Sequence, residues 1–281
     1  MAEMQSLFEK AVDAIDAGDY PTLQILVEKN PALTAMRSDS PTDGYFSHPY
    51  LLWYIAGNPV RQERLTANIC DITRLIIHHA KKHAAESFQY QIDYTLGLVA
   101  TGRVPKETGL QIELMDLLIQ EGAQPGNSIG ALAHGNKEAA RYLISKGAEL
   151  TLAAAICLDL NSEIPLLLKK STIEDRQLAL MVSSFYGKPD MIQLLISYAV
   201  DVNSYLHKES GFHSHATALQ HAVFSGSLDA VKILVDAGAD LALTDRIYNG
   251  TALGWAKHME MEETDENKKR KYAEIANFLS H

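Results

Sequence analysis

The sequence predicts an all-α chain of about eight stacked helix pairs, and three observations predict it. Gly18, Gly135, Gly187 and Gly226 each head a segment whose apolar residues recur at helical spacings. Twelve residues beyond each of these hinges a helix closes, at Asn30, Gly147, Ala199 and Gly238. Glycine at such points suits the left-handed conformation that commonly ends a helix. The hinges are themselves periodic: with Asn161 as a degenerate member, the steps from Gly135 to Asn161 and from Asn161 to Gly187 are 26 residues each.

Taken in chain order, the first pair lies on either side of Gly18, its second helix read from DYPTLQILVEKNPAL. The second pair is HPYLLWYIAG (48–57) with NICDITRLIIHHAKKHA (68–84), and the third is YQIDYTLGLVATG (90–102) with LQIELMDLLIQEGAQ (110–124). The fourth pair turns at Gly135, the fifth at Asn161 before SEIPLLLKKS, and the sixth at Gly187 before KPDMIQLLISYAVDVN. The seventh is the clearest. Thr217-Ala218-Leu219 opens a short helix that ends near Gly226, and Ala230, Val231, Ile233 and Leu234 mark a second helix buried along a broad stripe. The eighth has GTALGWAKHM (250–259) and, after the charged run 259–271, KYAEIANFL (271–279). That run reads as a solvated helix extension or loop, with Glu262, Glu263 and Glu266 available to Lys268, Lys269 and Arg270.

The segment TALQHAVFSGSLDAVKILVDAGADLALTD (217–245) resembles the ankyrin repeat, whose pattern is Thr-Pro-Leu-His-x-Ala-Ala, a hinge glycine, Val-x-x-Leu-Leu and Gly-Ala-Asp. Ala218, Gln220 and Val223 are mild departures from it. The resemblance implies an ankyrin-repeat solenoid, a single domain over 1–281. Its best repeats are 128–150, 177–203, 215–245 and 249–280, and irregular ones occupy 1–127 and 151–172. Against a usual period of about 33 residues, the 26-residue steps imply short or missing hairpin fingers in the middle. The 39 residues from Gly187 to Gly226 imply an enlarged finger at 204–216.

Composition restricts function. Lys and Arg number 25 against 35 Asp and Glu, a net charge of −10, which argues against nucleic acid and anionic membranes as partners. Two cysteines, Cys70 and Cys157, cannot build a disulfide framework and fit a reducing compartment. With no secretory signal at MAEMQSLFEK and no long apolar run, the expectation is a cytoplasmic, acidic monomer. The phosphate loop ending Gly-Lys-Ser/Thr, the Gly-x-Ser-x-Gly elbow, His-Glu-x-x-His and Cys-x-x-Cys are all missing, which argues against an enzyme and gives no reason to expect a cofactor.

The resemblance implies that ligands meet the finger tips and the end of each first helix, just before the hinge. Carried over, those positions are Asp16 and Ala17, Ala133 and His134, Asp159 and Leu160, Phe185 and Tyr186, Phe224 and Ser225, and His258 and Met259. Phe185, Tyr186 and Phe224 form an aromatic anchor for a protein or peptide, rimmed by His213, His215 and Tyr248. Trp255 is expected to pack beneath a finger, and Asp240 and Asp245 to order their turns through backbone amides. An alternative is a small-molecule or metal site, possibly enzymatic, under the 204–216 finger. It rests on His213 and His215, whose period-2 spacing aims both rings to one side, and on His221. His78, His79 and His83 form another run, read as a solvated helical face.

Overall fold

The structure, a computed structural model, describes residues 2–281, and its contacts divide the chain after Ala148 into two compact units. The described residues carry sixteen α-helices, three short 3-10 helices and no strand beyond the isolated bridges Arg37–Tyr50 and Thr244–Thr251.

In the first unit, α1 (Ala2–Ala17) pairs with α2 (Tyr20–Lys29). The 3-10 helix Leu51–Ala56, all six residues of which are buried, pairs with α3 (Ile69–His83). Helix α4 (Ala85–Thr101) is followed by α5 (Arg103–Thr108), an extra element ended by left-handed Gly109, before its partner α6 (Gln111–Gln120). The unit ends with α7 (Ile129–Ala133) and α8 (Lys137–Ser145). First helices pack on first helices, α1 on Leu51–Ala56, that helix on α4, and α4 on α7. Second helices pack in a parallel series, α2 on α3, α3 on α6, and α6 on α8.

The second unit repeats this plan. Its pairs are α9 (Leu152–Cys157) with α10 (Ile164–Lys170), and α11 (Ile173–Phe185) with α12 (Pro189–Ile196). Then come α13 (Ala218–Ser225) with α14 (Leu228–Asp236), and α15 (Ala252–Glu262) with α16 (Glu266–Leu279). The series α9, α11, α13, α15 stacks through apolar residues such as Ala179, Leu180, Ala222 and Val223, all at 0% exposure. The stripe on α14, Ala230, Val231 and Leu234, is also sealed, each large side chain contributing about 1.5–3 kcal/mol by leaving water. Only Ser171 and Thr172 separate α10 from α11, so the finger is missing there; a Thr172–Asp175 capping box starts α11 at once. The charged run extends α15 to Glu262, and Asp265 then caps α16 by accepting from the backbone N–H groups of Asn267 and Lys268.

Every hinge glycine expected from the sequence has positive φ, between 58° at Gly187 and 70° at Gly18 and Gly226. The degenerate hinge does not sit at Asn161. It is Asp159, with φ 60°, whose N–H and that of Leu160 bond Ile156 and Ala155 as the glycine hinges do. Asp tolerates the left-handed region because its short polar side chain can bond locally. The residues before this hinge are therefore Cys157 and Leu158, both buried, and Asp159 is the turn itself.

Helix closure at Gly147 and Gly238 uses φ of 102° and 89°, and Ala199 is held at φ 57° with a Cβ that this region disfavours. Ala199→Gly is expected to stabilise the protein by about 0.5–1 kcal/mol after the added chain entropy is subtracted; urea denaturation would show a higher midpoint at unchanged slope.

Candidate functional site

The residues singled out in the second unit converge around two fingers, and Asp245 organises them. Its Oδ1 accepts from the backbone N–H groups of Ile247 at 2.9 Å and Tyr248 at 2.6 Å, and its Oδ2 from that of Gly250 at 2.8 Å. The indole Nε1 of Trp255 donates to the same Oδ2 at 3.0 Å. Burial pushes this carboxyl up, but the donors of Tyr248, Trp255, Ile247 and Gly250 outweigh it and hold it at about 2. A Cβ on Gly250 would stand 2.9 Å from the Trp255 ring and 3.1 Å from Oδ2, so the closure requires glycine. The turn so fixed leaves Ile247 59% and Tyr248 78% exposed.

The same turn ties down the enlarged finger. The Arg246 N–H donates to the His215 carbonyl at 2.8 Å, and its guanidinium lies 4.0 Å above the Tyr205 ring, whose hydroxyl donates to the Thr244 carbonyl. His215 stacks on Trp255 at 6.1 Å, placing the indole beneath the finger as the sequence implied. Gln220, which stands where the repeat pattern has histidine, completes a capping box with Thr217 and donates to the carbonyls of Leu243 and Gly250.

Beside these fingers lies a cluster of rings. Phe185, half-buried, stacks on Phe224 at 4.9 Å and meets Tyr186, Phe212 and His213 at 5.2, 5.4 and 5.1 Å. Phe224 keeps 39% of its surface exposed and is the outward ring of the pair. Tyr186, half-buried, has its phenol pushed up by burial and by the neighbouring Cys157. Phe212, 6% exposed, packs against Phe185, His213 and His221, and no helical spacing singles it out; its only signal is its place next to His213 in the finger.

His221 is 2% exposed, and its Nε2–H donates to the His213 carbonyl at 3.3 Å. Burial foremost, then the His213 ring, pushes its pKa down to about 3. The rings of His213, His215 and His221 do meet, at centroid separations of 5.8, 5.8 and 6.3 Å. Among the described residues, however, no three His, Cys, Asp or Glu side chains are placed to hold a metal ion. With His221 Nε2 committed to a backbone oxygen, the metal reading of these three histidines has no ligand set. His79 and His83 likewise stack on each other at 6.1 Å, and Lys82 donates to His78.

Three candidates remain. Asp159 is an exposed hinge paired with Lys188, a contact worth little at the surface. His258 is exposed on α15. His134 belongs to the first unit, where it lines a cleft of about 1040 Å³ that sequence reasoning missed. Its walls come from the irregular segments around Tyr45, Gly57 and Arg103, which have no repeat register to follow.

Two consequences can be measured. Asp245→Ala leaves three backbone N–H groups and an indole N–H without their acceptor and should destabilise the protein by about 3 kcal/mol or more, read as a lower denaturation midpoint. Below pH 6.5 the unfolded chain takes up a proton at His221 that the native chain refuses, so stability falls as pH drops toward 3, by up to about 1.4 kcal/mol per pH unit. His221→Gln should flatten that part of the stability–pH profile; an unchanged slope would show that another group sets it.

Residues 107–245 match the family model described as ankyrin repeats, in three copies. Among solved structures, the crystal structure of the human ASB11 ankyrin repeat domain is similar at 16% identity, over 71% of this chain and 92% of that one, with a TM-score of 0.34. Comparison with curated proteins gives no match. No described helix is long and apolar enough to cross a membrane. With the matched segment containing the helix–hinge–helix units at Gly135, Gly187 and Gly226, the chain carries ankyrin repeats over residues 107–245.

Proposed function

We propose that the second unit binds a protein or peptide partner through the face formed by Phe224, Phe185 and the 245–250 turn. Ankyrin repeats are in general protein-interaction modules, and the site defines how this one would work. The observation that carries the reading is the Phe185–Phe224 stack: two rings at corresponding positions of successive repeats, one supporting and one 39% exposed. An exposed ring on a rigid base suits a binding hot spot, because it offers apolar area with few rotors to freeze. Tyr248 extends the surface from a turn that Asp245 already holds, which lowers the ordering cost of association. His213 and His215 form the polar rim, and the chain's net negative charge favours a partner with basic character through steering.

Phe185 and Tyr186 touch buried neighbours, so the informative variant changes the exposed rings alone. Phe224→Ala with Tyr248→Ala should preserve the helical circular dichroism and weaken capture of the physiological partner by about 2 kcal/mol or more, roughly 30-fold. A quantitative pull-down titration, comparing wild type with the double variant against cross-linked partners from native cells, measures it. Undiminished capture by the folded variant would place the partner elsewhere.

A further inference from the structure

Asn249 and Gly250 end the turn that Asp245 organises, and each is there for a conformational reason. Asn249 has φ 55°, a left-handed conformation that asparagine adopts more readily than most side chains. Gly250 is required because a Cβ at that position would strike the Trp255 ring and the Asp245 carboxylate. The turn thereby places an asparagine directly before a glycine, the only such pair in the sequence.

Asparagine is chemically labile in water, and most so before glycine, which has no side chain to hinder attack. The Gly250 nitrogen gives up its proton and bonds to Asn249 Cγ, the side-chain amide leaves as ammonia, and a succinimide ring closes. Water then opens the ring at either carbonyl. One opening leaves aspartate with the ordinary main chain; the other leaves isoaspartate, whose main chain runs through the side chain and is one methylene longer. The net change consumes a water and releases an ammonia, with nothing oxidised or reduced. Ring closure needs the Gly250 nitrogen free of its proton and turned toward Cγ.

In this fold both requirements are opposed by one residue. The Gly250 N–H donates to Asp245 Oδ2 at 2.8 Å, and the Asn249 N–H donates to the Asp245 carbonyl at 3.2 Å, so the peptides on both sides of Asn249 are pinned. The carboxylate holds the proton in place through a charge-assisted bond, and its negative charge opposes an anionic nitrogen beside it. Held at about 2, Asp245 is too weak a base to remove that proton itself. Burial gives no protection, because Asn249 is exposed. We propose that Asn249–Gly250 is a deamidation site and that the Asp245 carboxylate keeps it closed in the folded protein. Either product disturbs the turn. Aspartate sets a second carboxylate beside Asp245, and isoaspartate displaces the Gly250 N–H from the spacing at which it, Ile247 and Tyr248 share one acceptor group.

The test follows deamidation in the full chain by peptide mass spectrometry, for wild type, Asp245→Asn and Asp245→Ala. Incubation is in neutral buffer at a temperature where circular dichroism shows all three folded, with wild type in urea as the unfolded reference. Cleavage after Arg246 puts position 245 and Asn249 in different peptides, so an asparagine introduced at 245 is scored separately. Asn203, which precedes Ser204, reports general loosening: its amide donates to the Gly238 carbonyl and accepts from the Asp240 N–H. In urea Asn249 should be the fastest asparagine to react. In folded wild type it should react slower than in urea by roughly tenfold or more, the worth of one hydrogen bond to a charged group. Both folded variants should recover most of that factor at Asn249 and leave the Asn203 rate unchanged. A native rate at Asn249 equal to that in urea, variants that leave it as slow as wild type, or a rise at Asn203 matching that at Asn249 would each overturn the proposal.

Discussion

A helix pair of this length has one apolar stripe on each helix and nothing of its own to cover both, so neighbouring pairs must share a core. That constraint reaches every part of the molecule. It is why first helices contact first helices in each unit, and why all of α9 and the middle of α11 and α13 are sealed. It also sets the demand on the hinges. To return antiparallel in two or three residues, the chain must pass through a left-handed residue, and it does so at Gly18, Gly135, Asp159, Gly187 and Gly226. The stacked core then leaves hinges, fingers and helix ends free to vary, which is where Phe224 and the 245–250 turn lie.

Of the fingers, the one closed by Asp245 shows how variation is made rigid. A buried carboxylate is costly unless its lone pairs are bonded, and here three backbone N–H groups and the Trp255 indole bond it. One side chain thereby fixes a turn, anchors an indole under the neighbouring finger through His215, and aligns the Arg246 N–H with that finger's backbone. The ring cluster inherits its order from this arrangement, because Phe212, His213 and His215 all sit on the finger so held.

Much of this was legible in the sequence, for reasons that also explain what was not. Glycine at a hinge is a direct statement about backbone conformation, so Gly135, Gly187 and Gly226 located their turns, while Asp159 did not: an aspartate in the left-handed region looks like any surface aspartate. The role of Asp245 followed from turn chemistry, and the meeting of Phe185 with Phe224 from repeat register. Phe212 and the first-unit cleft were hidden because neither obeys a period. The finger residue is placed by tertiary packing, and the cleft is assembled from a loop and an inserted helix that have no counterpart in the repeat.

The Phe224 face departs from what stability alone would select. At the Phe224 face the departure is exposure: an apolar ring is left in water on a base that is otherwise sealed, and the turn beside it displays Ile247 and Tyr248. Local features that lower stability without a steric cause in the free protein concentrate at functional positions, because a sequence under folding pressure alone tends to remove them. Ala199 is the useful contrast. Its left-handed Cβ is also unfavourable, yet it belongs to the chain reversal that closes α12, and the turn geometry accounts for the strain. The weight therefore falls on places where a local cost coincides with a ring-bearing surface, as it does at Phe224.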